Sequence, residues 1–253
     1  ALAALRRESL LANPTELSPW GLRLDGHQPV TAAEPFRTGL IEIQDEGSQL
    51  VVAAMNAQPG ERVLDFCAGA AGKTLALAMT MENRGQIVAC DVSAQRLEGA
   101  VKRLRRAGVH NVERHLLVSG DKWIKRRAGT FDRVLVDAPC SGTGTWRRNP
   151  EARIRLTEQD VRELTVKQGE ILDRAATLVK PGGRLVYATC SILSDENMQQ
   201  ITAFLARNAG FELVPACGDV LPETLRERSH FALTPYRNGT DGFFAAVMRR
   251  HPA

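Results

Sequence analysis

The sequence lacks the features that mark several classes of protein. Aromatic residues make up only 5% of its 253 residues, and no apolar run approaches the ~20 residues of a membrane-spanning helix. Nothing at the start resembles a secretory signal, and no sustained repeat indicates a coiled coil or a collagen-like chain. The apolar content of 43% excludes a disordered protein. A chain of this length predicts one large domain, or one domain with a small companion.

Cysteine is sparse and is not arranged for a structural role. The five cysteines form no CxxC pair and have no neighbouring histidine, which argues against a zinc site and against a disulfide framework. Their odd number predicts reduced thiols in a cytoplasmic protein without a metal ion. They are Cys67, Cys90, Cys140, Cys190 and Cys217.

No charge of one sign dominates the chain. It has 33 Lys and Arg residues against 29 Asp and Glu residues, for a formal net charge of +4. This mild excess permits a polyanionic partner without requiring one. Because no long apolar edge indicates an obligate dimer, we predict a monomer that does not bind a membrane.

Alternating strand and helix patterns predict the fold class. The strand patterns cover residues 62–67, 86–91, 112–118, 131–139, 184–190, 211–215 and 242–250. Helical patterns separate most of these strands, so the fold is predicted to be α/β, with a doubly wound, mostly parallel, seven-stranded sheet. Residues 41–253 would form this domain, and residues 1–40 a small N-terminal appendage.

Three of the predicted helices have clear sequence signals at their ends. Ser93 is placed to cap one helix, and Thr157 with Asp160 resembles a capping box at the start of a long one. The long helix is predicted to continue until Pro181, and Ser194 is predicted to cap the helix after the fifth strand.

Ligands of such sheets bind beyond the carboxyl ends of the strands, where this chain has a small-residue loop and an acid. The first strand runs into DFCAGAAGKT (65–74), a loop that opens a helix and lets a ligand approach backbone N–H groups. Asp91 ends the second strand, where a carboxylate can accept hydrogen bonds from two ribose hydroxyls. Together they favour a ribose-bearing ligand.

A phosphate-binding loop is the alternative interpretation of the same residues. GAAGKT (69–74) nearly completes the motif Gly-x-x-x-x-Gly-Lys-Ser/Thr, and RVLVD (133–137) looks like the strand and acid that hold magnesium beside it. Cys67 occupies the position of the first glycine, which leaves the backbone less free to wrap a triphosphate. A P-loop-type nucleotide hydrolase is therefore the second hypothesis.

Two cysteines follow neighbouring strands at the ligand-binding edge. Cys140 comes shortly after Asp137 at the end of the fourth strand, and Cys190 ends the fifth. A thiolate suits one difficult methylation, because its addition to carbon 6 of a pyrimidine makes carbon 5 nucleophilic. Asp137 is a candidate to protonate or hydrogen-bond the ring nitrogen, for which burial would have to raise its pKa.

Several blocks of the chain resemble the Nol/Nop/Sun family of RNA cytosine-5 methyltransferases, with the closest likeness to its bacterial ribosomal RNA branch. The resemblance extends over about residues 40–250. The blocks are EIQDEGSQL (42–50), DFCAGAAGKT (65–74), DAPCSGTGTWRRNPE (137–151), YATCSILSDEN (187–197) and TDGFFAAVMRR (240–250).

The resemblance implies a class I, Rossmann-like methyltransferase that uses S-adenosylmethionine and acts on RNA, with ribosomal RNA as the expected substrate. It implies Cys190 as the nucleophile, Cys140 as the thiol that assists product release, and Asp137 between the methyl donor and the cytosine. Asp91 would hold the ribose and Asp121 would lie near the adenine. The residues implied to line the rest of the donor are Cys67, Ala68, Gly69, Ala70, Ala71, Gly72 and Lys73.

The donor loop departs from the family pattern Cys-Ala-Ala-Pro-Gly-Gly-Lys-Thr. Ala70 replaces the proline and loses its preset φ angle. Ala71 replaces a glycine, and we expect its methyl group where the donor passes closest, which would weaken donor binding. A catalytically inactive RNA-binding relative is thus a further alternative.

A basic segment that follows Cys140 is the predicted RNA contact. Arg147, Arg148 and Arg153 would bind phosphates and position RNA without reading its sequence. Trp146 and Phe66 are candidate stacking surfaces for an extruded base, since the target cytosine must leave its stack before a thiol reaches carbon 6.

Overall fold

The computed structural model describes residues 1–120, 122–218 and 220–252. The α-helices are α1 (Leu2–Arg7), α2 (Glu34–Arg37), α3 (Glu46–Met55), α4 (Gly72–Thr80), α5 (Ala94–Arg106), α6 (Trp123–Arg126), α7 (Pro150–Arg155), α8 (Glu158–Ala176), α9 (Met198–Arg207), α10 (Glu223–Arg226) and α11 (Pro235–Asn238). The β-strands are β1 (Ala12–Pro14), β2 (Leu22–Leu24), β3 (Arg62–Asp65), β4 (Gln86–Asp91), β5 (Val112–Leu116), β6 (Phe131–Asp137), β7 (Val179–Thr189), β8 (Phe211–Leu213), β9 (His230–Leu233) and β10 (Phe243–Arg250).

The central sheet has the order β5-β4-β3-β6-β7-β10-β8, with β9 paired to β10. Strands β3 to β7 are mutually parallel, and β10 pairs antiparallel with β7, β8 and β9. From β3 the chain first proceeds outward to β4 and β5, and then crosses back to β6 and β7. The strand order therefore reverses between β3 and β6, which creates the crevice where ligands bind in such sheets.

Helices cover both faces of the sheet, which confirms the doubly wound prediction. On one face, α3 and α4 bury residues such as Leu50 and Leu77 against β3 and β7. On the other face, α8 and α9 bury Leu172 and Phe204 against β6 and β7. Because the parallel strands are covered on both sides, they read as continuous apolar runs in the sequence.

Two capping signals are confirmed, but the predicted end of the long helix is wrong. The Ser93 hydroxyl accepts from the Arg96 N–H at the start of α5, and Thr157 forms the capping box that starts α8. However, α8 ends at Ala176, well before Pro181. Pro181 lies inside β7, at an irregular part of its pairing with β6 where a proline is tolerated.

The prediction of a helix cap at Ser194 is also wrong. Residues Ser194–Glu196 form a 3₁₀ turn, and α9 begins at Met198. Tertiary contacts determine this start, because the Asn197 side chain bonds back to Thr189 and to the Ser191 carbonyl. The sheet also has one strand more than predicted, since the short segment β9 pairs along β10.

Residues 1–40 form a small layer with its own apolar cluster, which includes Leu5, Leu10 and Val30. The Glu46 carboxylate at the start of α3 joins this layer to the main domain, because it accepts from the N–H groups of Leu17 and Ser18 at 2.8 and 2.9 Å. Among the described residues, no helix is long and apolar enough to cross a membrane.

Candidate active site

The ends of β3, β4, β6 and β7, which carry or precede predicted site residues, converge at one edge of the sheet. Asp65 ends β3, Asp91 ends β4, Asp137 ends β6, and Cys190 follows β7. Parallel strands bring their carboxyl ends to the same edge, and the pairing of Asp137 with Ala188 aligns the last two. Asp121, which was predicted near the adenine, lies outside the described residues.

The loop between β3 and α4 is built around two residues with positive φ. Gly69 has φ +54°, and its N–H donates to Asp91 Oδ2 at 2.8 Å. Ala71 has φ +63° and precedes Gly72, the first residue of α4. Side-chain atoms added at Gly69 would meet nothing within 4 Å, so the loop leaves open space on that side. This is where a ligand can approach the backbone.

The structure corrects the expectation for Ala71. Its side chain is fully buried and packs in a cluster with Leu75, Ala100 and Leu104, so the methyl group contacts α4 and α5. The methyl group therefore does not stand where the donor was expected to pass closest. The substitution instead places a non-glycine residue in the left-handed region, which costs about 1–2 kcal/mol.

Asp91 is held rigidly by the backbone around it. The Gly69 N–H bonds to one carboxylate oxygen, and the Ser93 N–H donates to the other, Oδ1, at 2.8 Å. Each carboxylate oxygen has a further lone pair that can accept a hydroxyl group. A buried, fixed carboxylate beside an open glycine loop fits the ribose of an adenosyl ligand.

Asp65 is a site residue that the sequence reasoning missed. It is fully buried, its Oδ2 accepts from the Thr74 hydroxyl at 2.7 Å, and its Oδ1 has no hydrogen-bond partner among the described residues. Burial, assisted by the nearby Asp137 charge, raises the pKa of Asp65 to about 7. The sequence feature that could have identified Asp65 is its position as the last residue of the strand before the loop. The orphaned oxygen beside the loop fits a polar ligand group.

Lys73 and Asp137 form a close ion pair across the crevice. Lys73 Nζ lies 2.7 Å from Asp137 Oδ2 and 5.3 Å from the centre of the Phe243 ring. Burial lowers the pKa of Lys73, but Asp137 and Asp65 outweigh this effect and the net pKa is raised. Asp137 thus has a cation beside it, an ion pair that the sequence analysis did not predict.

The two predicted catalytic cysteines meet at the same place. Cys140 Sγ and Cys190 Sγ are 3.4 Å apart. The hydrogen bond from Cys140 lowers the pKa of Cys190, and Lys73 acts in the same direction, whereas burial and Asp137 oppose it. The same hydrogen bond and burial raise the pKa of Cys140. Cys190 is therefore the thiol of the pair that ionises first, while Cys140 keeps its proton.

The amino end of α9 holds the two cysteine-bearing loops, which the sequence reasoning also missed. The buried Glu196 carboxylate accepts from the Ser141 N–H at 2.8 Å, from the Ser141 hydroxyl at 2.5 Å and from Gln168 Nε2 at 2.9 Å. Asn197 Nδ2 donates to the Ser191 carbonyl at 2.9 Å. Adjacent residues thus fix the segments beside Cys140 and Cys190.

Two of the three predicted phosphate-binding arginines lie near the start of β10. Arg148 Nε donates to Asp241 Oδ2 at 2.7 Å, and Arg147 Nη2 lies 3.6 Å from Asp241 Oδ1. Asp241 is fully buried, while both arginine side chains stay about half exposed. The guanidinium of Arg153 lies 5.9 Å from the centre of the Trp146 ring. Of the two candidate stacking residues, Phe66 is buried and Trp146 is partly exposed.

A large cavity lies away from the cysteines. It has a volume of about 700 Å³ and is lined by mostly apolar residues from the N-terminal layer, α4 and α5. Of the predicted site residues it contacts only Gly72, and it holds no nucleophile, so we assign the chemistry to the strand ends. No group of His, Cys, Asp and Glu residues in the described part of the chain could hold a metal ion.

The strand order, the glycine loop after β3 and the acid after β4 together define a Rossmann-like methyltransferase fold. The sequence comparisons identify the family to which the chain belongs. A family described as "16S rRNA methyltransferase RsmB/F" matches residues 52–249, and the chain belongs to this family. The family consists of S-adenosylmethionine-dependent methyltransferases, which confirms the predicted cofactor class and decides against the phosphate-binding loop.

Individual relatives agree with this assignment. The ribosomal RNA small subunit methyltransferase B of Photorhabdus laumondii is 36% identical over 254 residues, covering 98% of this chain and 56% of the relative. A crystal structure of a methyltransferase homologue from Pyrococcus horikoshii is 32% identical, has a TM-score of 0.79, and covers 98% of this chain and 81% of its own. The structure of PH0851 has 35% identity and a TM-score of 0.89, and covers 98% of this chain and 56% of its own. The chain thus spans about half the length of the curated relatives.

Proposed function

We propose that the chain is an S-adenosylmethionine-dependent RNA methyltransferase that forms 5-methylcytosine in ribosomal RNA in the cytoplasm, through a covalent cysteine adduct. Residues 41–253 would be the catalytic domain, residues 1–40 an appendage, and the enzyme a monomer. The observation that carries the proposal is the pair of sulfur atoms 3.4 Å apart at the ligand-binding edge, where Cys140 lowers the pKa of Cys190.

The donor would be held by the loop Cys67 to Lys73 and by Asp91. Support comes from the open space at Gly69, the fixed Asp91 carboxylate and the unpartnered oxygen of Asp65. When bound, S-adenosylmethionine supplies an electrophilic methyl group. The residues of this chain would bind it and exclude water, since the loop and the strand ends surround the same crevice.

Cys190 would begin the reaction by addition of its thiolate to carbon 6 of cytosine. A free thiol is only a few per cent ionised at neutral pH, so the lowered pKa of Cys190 favours this step. The Lys73–Asp137 pair would hydrogen-bond the ring nitrogen, with a proton available between two atoms 2.7 Å apart. Protonation of the ring makes it a better electrophile, which completes the activation.

Cys140 would act later, in product release. Its pKa is raised chiefly because its proton is bound to the Cys190 sulfur. Once that sulfur bonds to carbon 6 it is no longer a thiolate acceptor, and the Cys140 thiol can ionise more easily. A base must then remove the carbon 5 proton before the sulfur–carbon bond breaks and the double bond re-forms. Arg147, Arg148 and Arg153 would position the RNA through its phosphates.

Tritiated methyl transfer to unmodified ribosomal RNA tests this function. We expect incorporation as 5-methylcytosine, no transfer by Cys190→Ala, and covalent protein–RNA adducts that accumulate in Cys140→Ala. Cys217→Ser, an exposed cysteine, is the matched control and should behave like the wild-type protein. Accumulation of adducts in Cys190→Ala instead would show that the two thiols have exchanged roles, and absence of transfer with intact donor binding would refute the activity.

A further inference from the structure

Tyr236 is an aromatic side chain without a role in the proposed chemistry. Its side chain is 97% exposed, the largest fraction among the exposed large apolar residues. The other tyrosine, Tyr187, is buried and donates its hydroxyl proton to the Glu196 carbonyl. A fully exposed ring on a protein with few aromatic residues is a candidate contact surface for a partner.

Strand register places Tyr236 at the edge of the sheet that carries the cysteines. It lies in α11, directly after β9, and the last residue of β9, Leu233, pairs with Phe243 at the start of β10. The next residue of β10, Phe244, pairs with Thr189, which precedes Cys190. The segment 234–239 therefore projects from the same edge as the nucleophile.

The turn that presents the ring is rigid. The Thr234 hydroxyl accepts from the Arg237 N–H, and the Thr234 N–H donates to Asn238 Oδ1 at 2.9 Å. Gly239 then ends α11 in the left-handed conformation, with φ +67°. Pro235 fixes the φ angle at the start of the turn. The ring is thus displayed by a closed, capped turn, which lowers the entropy lost when it binds a partner.

Arginine side chains lie around this turn, and three of them also pair with the buried carboxylates of Glu46 and Asp241. Arg237 is exposed on α11 itself, and the Arg23 guanidinium of the N-terminal layer lies near Gly239. Arg147 and Arg148 join them, because both contact Asp241, which follows the turn closely in the chain. We name Tyr236, Arg237, Arg23, Arg147 and Arg148 the aromatic–basic rim. An exposed ring among arginines matches the combination by which proteins bind single-stranded nucleic acid, through base stacking and phosphate contacts.

From this placement we infer that the aromatic–basic rim binds the single-stranded RNA next to the target cytosine, with Tyr236 stacked on a flanking base. This inference rests on the proposed RNA methyltransferase function and extends it to a substrate subsite. It also assigns a role to Arg23 and Arg237, so that the layer of residues 1–40 contributes to the RNA surface.

Binding of a fluorescein-labelled, short single-stranded RNA containing one cytidine, measured by anisotropy at low salt, tests the rim without any methyl transfer. We expect Tyr236→Ala to weaken binding about tenfold, and Tyr236→Phe to bind as the wild type does, because stacking needs the ring and not the hydroxyl. Arg237→Gln should weaken binding and reduce its salt dependence. Arg249→Gln is the matched control, since Arg249 lies near the far end of β10, and it should have no effect.

Two further measurements separate the possible failures. Calorimetry with S-adenosylhomocysteine and the thermal midpoint should be unchanged in all four variants. If Tyr236→Ala binds RNA like the wild type while the wild type methylates RNA, the rim is refuted and the proposed function stands. If the wild type binds no RNA and transfers no methyl group, the proposed function fails and the rim with it. Equal losses in Tyr236→Phe and Tyr236→Ala would refute stacking.

Discussion

Removal of the Glu196 carboxylate should uncouple the two cysteines before it unfolds the protein. The carboxylate is fully buried and accepts three hydrogen bonds. In Glu196→Ala the Ser141 hydroxyl can turn to Ser191, and Gln168 retains its bond to the Pro139 carbonyl. The Ser141 N–H is left without a partner, at a cost of about 1–3 kcal/mol.

The lost packing adds to this cost. The one buried methylene group that alanine lacks contributes about 0.8 kcal/mol, so the total destabilisation is about 2–4 kcal/mol. For a domain of this size that corresponds to a fall in the thermal midpoint of about 4–16 °C. Glu196→Gln keeps one acceptor for the Ser141 N–H, and should lose about 1 kcal/mol.

The assay combines calorimetric melting with adduct trapping. Because the bonds that hold the Cys140 loop are weakened in both variants, covalent RNA adducts should accumulate as expected for Cys140→Ala, even in the more stable Glu196→Gln. Glu223→Gln changes an exposed glutamate and is the control. A Glu196→Gln protein that melts lower but releases product at the wild-type rate would refute the proposed link between this carboxylate and Cys140.

Three further predictions concern the thiols, the donor loop and Asp65. Cys140→Ala should raise the pKa of Cys190, because the S–H donor is lost, so alkylation of Cys190 by iodoacetamide should shift to higher pH; an unchanged profile would contradict the hydrogen bond. Ala71→Gly should alter the affinity for S-adenosylhomocysteine less than twofold by calorimetry, because the methyl group is buried in a packed cluster, and tenfold tighter binding would restore the original expectation. Burial raises the pKa of Asp65 from 3.8 to about 7, so the folded state keeps a proton that the unfolded chain loses. The free energy of unfolding should therefore fall as pH rises through this window, by up to about 4 kcal/mol, and Asp65→Asn should flatten that fall in urea titrations.

Local patterns in the sequence were sufficient for most of the fold. β4 has its predicted bounds, and the hydroxyls of Ser93 and Thr157 cap the helices they were expected to cap. These signals act within a few residues of the chain. The parallel sheet followed from strand–helix alternation, and the parallel sheet in turn predicted which strand ends would meet.

The errors occur where a distant residue decides the structure. The start of α9 depends on the bonds of Asn197 to the loop after β7, and Glu196 contacts Ser141 from 55 positions away. The ion pair of Arg148 with the buried carboxylate of Asp241 joins positions far apart in the chain, and the sequence analysis did not predict it. Ala71 was judged by its loop alone, whereas its methyl group packs against residues of α5. No local pattern contains these partners.

The position of β10 has a consequence for the synthesis of the protein. This strand lies between β7 and the pair β8 and β9, yet it is made after all of them. Until it inserts, β7 has an open edge along Thr189, and Asp241 is not available to anchor Arg148. During its synthesis the chain therefore passes through a stage in which both Cys140 and Cys190 have been made but the crevice is still incomplete. The proposed site is complete only when β10 enters the sheet.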